Sequence, residues 1–175
     1  MPTPTPEQAA FVLNAVTVPA LTVEHPITKS VIMAIPADRA DYKPDPIVRN
    51  AFELAWHIAA AEVRFLQAVA NGAFDFSNTA PPSSVSTPAD VAAWYSEHFA
   101  AAVDRLKAMT GDELVKRIDF RGIFNFPAFV YAQLGLNHSI HHRGQLSMYL
   151  RPMGAKVPSI YGESYDARMA REANA

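Results

Sequence analysis

The chain has 175 residues, half of them hydrophobic and 18% charged, with a formal net charge of −2; this suits one globular domain spanning 1–175 and sets aside a disordered chain. The charges are dispersed and form no basic stripe, which argues against a nucleic-acid partner. There is no cysteine, so a disulfide scaffold, a thiolate metal site and a cysteine nucleophile are excluded.

The opening Met1-Pro2-Thr3-Pro4-Thr5-Pro6 lacks the positive region and apolar run of a signal peptide. No uninterrupted apolar stretch looks long enough to span a bilayer, so the expectation is a cytoplasmic protein without a membrane partner. Thr5-Pro6-Glu7-Gln8 reads as a helix start, with Thr5 as N-cap, Pro6 at the first helical position and Gln8 three residues on. This piece is expected to reach about Val18, where Pro19 interrupts it, and a second piece, Ile27 to Ile35, ends at Pro36. Asp45-Pro46 repeats the cap-then-proline signal and opens a long helix to about Ala70, closed by Asn71-Gly72. Residues 73–86, rich in Ser, Pro, Thr and Asn, form a linker long enough to cross over an end of the fold. Thr87-Pro88 opens a third helix that continues to about Met109, and Phe126-Pro127 a fourth that stops near Arg151-Pro152. The remainder reads as an extended tail with one further helical turn at most. No stretch alternates long enough to be a strand. The expected class is all-α, an antiparallel four-helix bundle.

The fourth helix carries Asn137-His138-Ser139-Ile140-His141-His142-Arg143-Gly144-Gln145. His138 and His142 are four apart, so a helix stacks them on one face, the spacing at which two imidazoles share a metal ion. Their stripe also holds Tyr131, Leu134, Gly135, Gln145, Leu146 and Tyr149. His141 lies to one side, as a flank or an outer support for the ligating rings. The opposite face carries Phe129, Leu136 and Ile140 with Arg143 beside them. Apolar residues on two sides suggest burial on both, against a second subunit of a homodimer or a folded tail.

A third histidine, His57, sits mid-way along the second long helix, between an apolar stripe (Leu54, Ile58, Ala61, Phe65) and a polar one (Asn50, Glu53, Arg64). One histidine from that helix and the pair from the fourth would give three nitrogen ligands with an open position, the coordination of catalytic rather than structural sites. The competing reading of His57 is a satisfied core or surface residue. Glu62 points toward the apolar side of the same helix, either as a charge reaching the bundle edge or as a general base. Arg143 reads as a surface or interface ion-pair former, and His25 and His98 as solvated or capping residues. The two tryptophans and the phenylalanines read as packing, while Tyr149 and Tyr161 suit a pocket wall or the core rim.

At these residues the chain becomes recognisable. His-x-x-His-His-Arg-Gly-Gln-Leu from His138, then Tyr-Leu-Arg-x-x-Gly and Val-Pro-x-Ile-Tyr-Gly, closely resembles the DinB-like superfamily of four-helix-bundle metalloproteins. The block Glu53–Glu62 looks like its second-helix signature, and Val31 to Pro46 like its lead-in; the resemblance spans roughly residues 24 to 165. It implies a metal held by His57, His138 and His142, zinc or nickel, in a bundle that dimerises through helices. It also implies a continuous first helix, from which the prolines at 19 and 26 depart. Relatives of this kind include S-transferases and an isomerase that use low-molecular-weight thiols; with no cysteine in the chain, such a thiol would enter as a cosubstrate.

Two functions follow as expectations. The first is a metal-dependent enzyme acting on a small molecule, by S-transfer with an exogenous thiol or, as the alternative, by hydrolysis. In it Gln145 and His141 position substrate or ligating rings and Glu62 accepts a proton. The second is a non-enzymatic, stress-related bundle whose metal is structural or whose site binds a small ligand.

Overall fold

The computed structural model describes residues 4–174, so the Met1-Pro2-Thr3 of the leader reading lies outside the described residues. The first helix is continuous: α1 (Pro6–Phe11) passes through a π-helical turn, Val12–Thr17, into α2 (Val18–Met33). The expected break at Pro19 is absent. The Val18 N–H reaches back to the Leu13 carbonyl, and this wider turn opens the spiral just ahead of Pro19, where an α-turn would press the ring on the carbonyl four residues back. Pro26 is likewise carried inside the helix. Joined in this way, the 28 residues Pro6–Met33 are long and apolar enough, by length and composition alone, to cross a membrane, contrary to the expectation that no stretch is. Leu13, Leu21, Val31 and Ile32 of the same helix are fully buried in the core.

The second long helix, α3 (Ala51–Asn71), starts later than Asp45-Pro46. Asp45 instead accepts the Ile47 N–H at 2.9 Å in a local turn. The helix begins where Asn50 and Glu53 cap each other's backbone N–H groups, at 2.7 and 2.8 Å, a reciprocal box that outcompetes the proline signal. It ends at Gly72 with φ 74°, the left-handed closure that glycine adopts without strain. α4 (Pro88–Lys107) and α6 (Ala128–Leu150) fall close to expectation. Between them lie a short α5 (Gly111–Leu114) and an unforeseen hairpin, β1 (Arg117–Phe120) against β2 (Phe124–Pro127). Four-residue strands are too short to show alternation, and the turn uses positive φ at both Arg121 and Gly122. The tail is not extended throughout: α7 (Tyr165–Ala173) is a nine-residue helix.

The protein is an all-α four-helix bundle of the first helix, α3, α4 and α6. His57 and Phe65 of α3 meet His142 and Tyr131 of α6 respectively, so α3 and α6 run antiparallel. Trp56 and Asn71 of α3 meet Trp94 and Arg105 of α4, so those two run in the same direction. The 73–86 linker makes this possible by travelling back along α3, where Arg64 donates to the Asn78 carbonyl at 2.9 Å and Trp56 to that of Thr79 at 2.9 Å. The face of α6 opposite the histidines is covered by α2 of the same chain: Leu136 is buried, and Arg143 donates to Glu24 at 2.5 Å. That face therefore needs no second subunit. Gly135 of α6 permits a close approach to α3, since a Cβ there would lie 2.7 Å from the Phe65 Cβ.

Candidate metal centre

The antiparallel α3/α6 pair brings His57, His138 and His142 together, with one possible ligand atom from each within 4.8 Å of the others. The His57 and His142 Nε2 atoms are 3.2 Å apart. Two nitrogens each 2.0–2.1 Å from a shared tetrahedral ion stand about 3.3 Å apart, so this spacing fits a metal as well as it fits a proton shared between the rings. Gln145 accepts the His142 Nδ1–H at 2.6 Å, which fixes the tautomer and turns the Nε2 lone pair toward His57. Among the described residues His138 Nδ1 is buried with no hydrogen-bond partner, a polar atom whose desolvation none of them offsets. These donors fit a divalent ion that accepts imidazole nitrogen.

All three rings are neutral at neutral pH, the state that ligation requires. Burial comes first among the causes; with Arg49 and the neighbouring imidazoles it pulls His57 down to about 3 and His138 down to about 4. Burial also lowers His142, against the opposing pull of Gln145. His141 is exposed, and its Nε2 lies 3.2 Å from the Gln145 Nε2. Gln145 thus links the flank histidine to the His142 ring.

A cleft of about 660 Å³ opens beside His57 and His138, walled by Phe65, Phe74, Phe76 and Phe120 and carrying Arg49, Arg64 and Arg121. A second, almost wholly apolar hollow of about 320 Å³ continues past His138 to His141, Tyr131 and Leu134. A third, about 790 Å³, lies on the His142–Gln145 side and includes Tyr149. Sequence reasoning treated these phenylalanines as packing and missed the arginines. The signal was available in Phe74-x-Phe76 inside a polar linker and in Phe120, Phe124 and Phe126 around a turn, aromatics with no helix to bury them.

Several candidates sit elsewhere. Glu62 is buried at 1% exposure, accepts from the Tyr95 hydroxyl and lines none of these clefts. It is neither a charge at the bundle edge nor a base facing the site. Burial pushes its carboxyl up to about 8. Arg143 is not a surface group: at 1% exposure it donates to Glu24, to Thr28 at 3.2 Å and to the Tyr161 hydroxyl at 2.7 Å. Tyr161 binds that pair, not a cleft. His25 is packed against Phe99 and Tyr95, with ring centroids 4.1 and 4.3 Å away, and is no solvated residue. His98 stacks on Trp94 at 4.1 Å.

Fold and site together define a four-helix bundle with a three-histidine cluster between its second and fourth helices. A family model described as the DinB family matches residues 21–173. The chain belongs to the DinB family. It is 30% identical over 131 residues to the protein YjoA of Bacillus subtilis (strain 168), covering 73% of this chain and 82% of that one. The crystal structure of YjoA superposes with a TM-score of 0.69 at 25% identity, covering 82% of this chain and 96% of its own. A DinB-like protein from Bacillus cereus ATCC 10987 gives 0.70 at 24% identity, covering 83% and 95%.

Proposed function

We propose that the protein is a metal-dependent enzyme of the thiol S-transferase type, with one zinc or nickel ion held by His57, His138 and His142 and the thiol supplied from outside the chain. The observation that carries this reading is the convergence of three neutral imidazoles, joined by no fourth His, Asp or Glu among the described residues, at the wall of a cleft large enough for a small molecule. A structural site closes its fourth position with protein; a catalytic one leaves it open. A divalent ion among uncharged ligands keeps its full charge and lowers the pKa of a thiol or water placed beside it. Gln145 holds the His142 ring at its donor angle, and His141 extends that support to the rim. The phenylalanine walls exclude water from the reacting groups.

The exposed Phe11, Val16 and Val23 of the first helix support a homodimer formed through that helix, in a cytoplasmic protein. Light scattering of wild type and Val23→Glu tests it, with a monomer expected for the variant.

The test of function is metal content by elemental analysis of untagged wild type and His142→Ala, followed by an assay of thiol addition to electrophiles and of ester hydrolysis. One equivalent of zinc or nickel, lost in the variant, with thiol-dependent turnover, is the expected result. Turnover by water alone would replace transfer with hydrolysis. Metal whose removal unfolds the protein, with no turnover, would make the ion structural. Metal-free wild type that cannot be reconstituted would end the metal reading.

A further inference from the structure

The cleft beside the histidines has a charge that the rest of the molecule does not. The chain as a whole is slightly acidic, at −2, yet the cleft lining contains three arginines, Arg49, Arg64 and Arg121, and a single carboxylate, Glu53. Glu53 is already engaged, since its Oε2 accepts the Asn50 N–H at 2.8 Å to cap α3. Among the described residues none of the three guanidinium groups forms a salt bridge. A concave surface with charge of one sign over low-dielectric walls concentrates counter-charged solutes.

The walls are as specific as the charge. Phe74 packs edge-on against Phe65 at 5.4 Å and against Phe120 at 4.8 Å, and Phe76 edge-on against Phe120 at 5.5 Å. The Arg121 guanidinium lies 3.9 Å from the Phe76 ring centroid and that of Arg64 5.8 Å from it. Cations laid over aromatic faces keep their hydrogen-bond edges free for a ligand; Arg64 spends part of its edge on the Asn78 carbonyl at 2.9 Å, which leaves Arg49 and Arg121 for a ligand. The elements that supply these groups have little else in common. Phe74 and Phe76 come from the crossover linker, Phe120 and Arg121 from the hairpin, Phe65 and Arg64 from α3, and all three segments meet at this cleft.

We infer that the cleft selects an organic anion with an aromatic or extended apolar body, the body lying among Phe65, Phe74, Phe76 and Phe120 and the anionic head toward Arg49 or Arg121. This deepens the functional reading above by naming the substrate class, and it rests on that reading only in taking this cleft as the substrate site. The apolar hollow that continues past His138 gives the body room to lengthen. A neutral ligand of the same shape leaves the guanidinium groups unpaired and binds more weakly. A cationic one is repelled.

The experiment compares three probes of one shape, 2-naphthoate, 2-naphthalenemethanol and 2-naphthylmethylamine, by calorimetric titration of chelator-treated full-length protein. Naphthoate is expected to bind about tenfold tighter than the alcohol, the worth of one charge-assisted hydrogen bond, with the amine weakest and only the naphthoate weakened by added salt. The double variant Arg49→Gln, Arg121→Asn should bring naphthoate down to the alcohol's affinity. Asparagine is chosen because Arg121 has φ 55°, a conformation that asparagine tolerates. An unchanged affinity for the alcohol shows that the variant cleft is intact. Equal binding of acid and alcohol to the wild type, or a preference that survives the double variant, overturns the inference. Should the variant fail to fold, the probe series and salt dependence on wild type decide alone. Because the titration is done without metal, charge selection in a protein that never holds an ion sinks the enzyme reading and keeps this one. A metal-bearing protein indifferent to charge does the reverse.

Discussion

Helix α6 carries two polar surfaces about 100° apart around its axis, and they are finished in opposite ways. On one side Arg143 is paired: Glu24, Thr28 and Tyr161 all accept from it, and Glu62 with Tyr95 completes a buried polar layer that touches every helix of the bundle. On the other side His138 and His142 are half-buried, one with an orphaned nitrogen and the other facing a third imidazole. Donors with partners in the chain hold the fold together. Donors left without partners are free for something from outside it. Polar residues of both kinds sit in a single nine-residue motif, and only their partners tell them apart.

Four changes would break or sharpen this contrast. The largest effect is expected from His57→Ala, which should remove bound metal altogether while costing the metal-free protein little stability; elemental analysis beside a chelated thermal melt checks both halves. Arg143→Met should do the converse. Breaking a buried pair costs about 3–5 kcal/mol, nearer the lower figure because Glu24 keeps its 3.0 Å bond from Tyr161; the folded variant should still bind metal, as denaturant unfolding and metal titration would show. Gln145→Leu should weaken metal affinity about 10- to 100-fold, read by competition with a chromophoric chelator, with an unchanged melting temperature.

The fourth change is read across pH. Glu62 has its carboxyl raised from 4.5 to about 8. The folded state therefore keeps a proton that the unfolded chain releases, so the stability it contributes is whole below pH 4.5 and drains away as pH rises toward 8. His57 and His138, held below their ordinary 6.5, act with the opposite sign: their contribution is present above 6.5 and lost as pH falls toward about 3 and about 4. Metal-free protein should thus be less stable at both ends. Glu62→Gln should flatten the alkaline limb alone in melts across pH.

Much of this was legible in the sequence, and the failures have physical causes. The i, i+4 histidine pair needs only helical periodicity to be found, and His57 only a partner helix. The proline rule misjudged the first helix, because a five-residue turn relieves the clash that the rule assumes and costs a single extra residue. It misjudged the start of α3 as well, where Asn50 and Glu53 form a complete capping box while Asp45 forms only a turn. Arg143 was out of reach for a different reason. A charge is read as exposed unless its partner is known, and Glu24 lies 119 residues away. The cleft arginines were hidden likewise, since Arg64 and Arg121 meet only when the linker doubles back and the hairpin folds over it.

The absent side chain at position 135 acts on the histidines without touching them. One turn before His138, it lets α6 settle against Phe65 closely enough for donors on two helices to meet. The gap between those donors is therefore gauged by backbone spacing rather than by the imidazoles. A methyl at that point would prise the helices apart and widen the gap between His57 and the two α6 histidines without replacing any of the three. Discrimination by radius in an ion bound there would then belong to the scaffold, and Gly135→Ala should move preference toward a larger cation such as cadmium in competition dialysis.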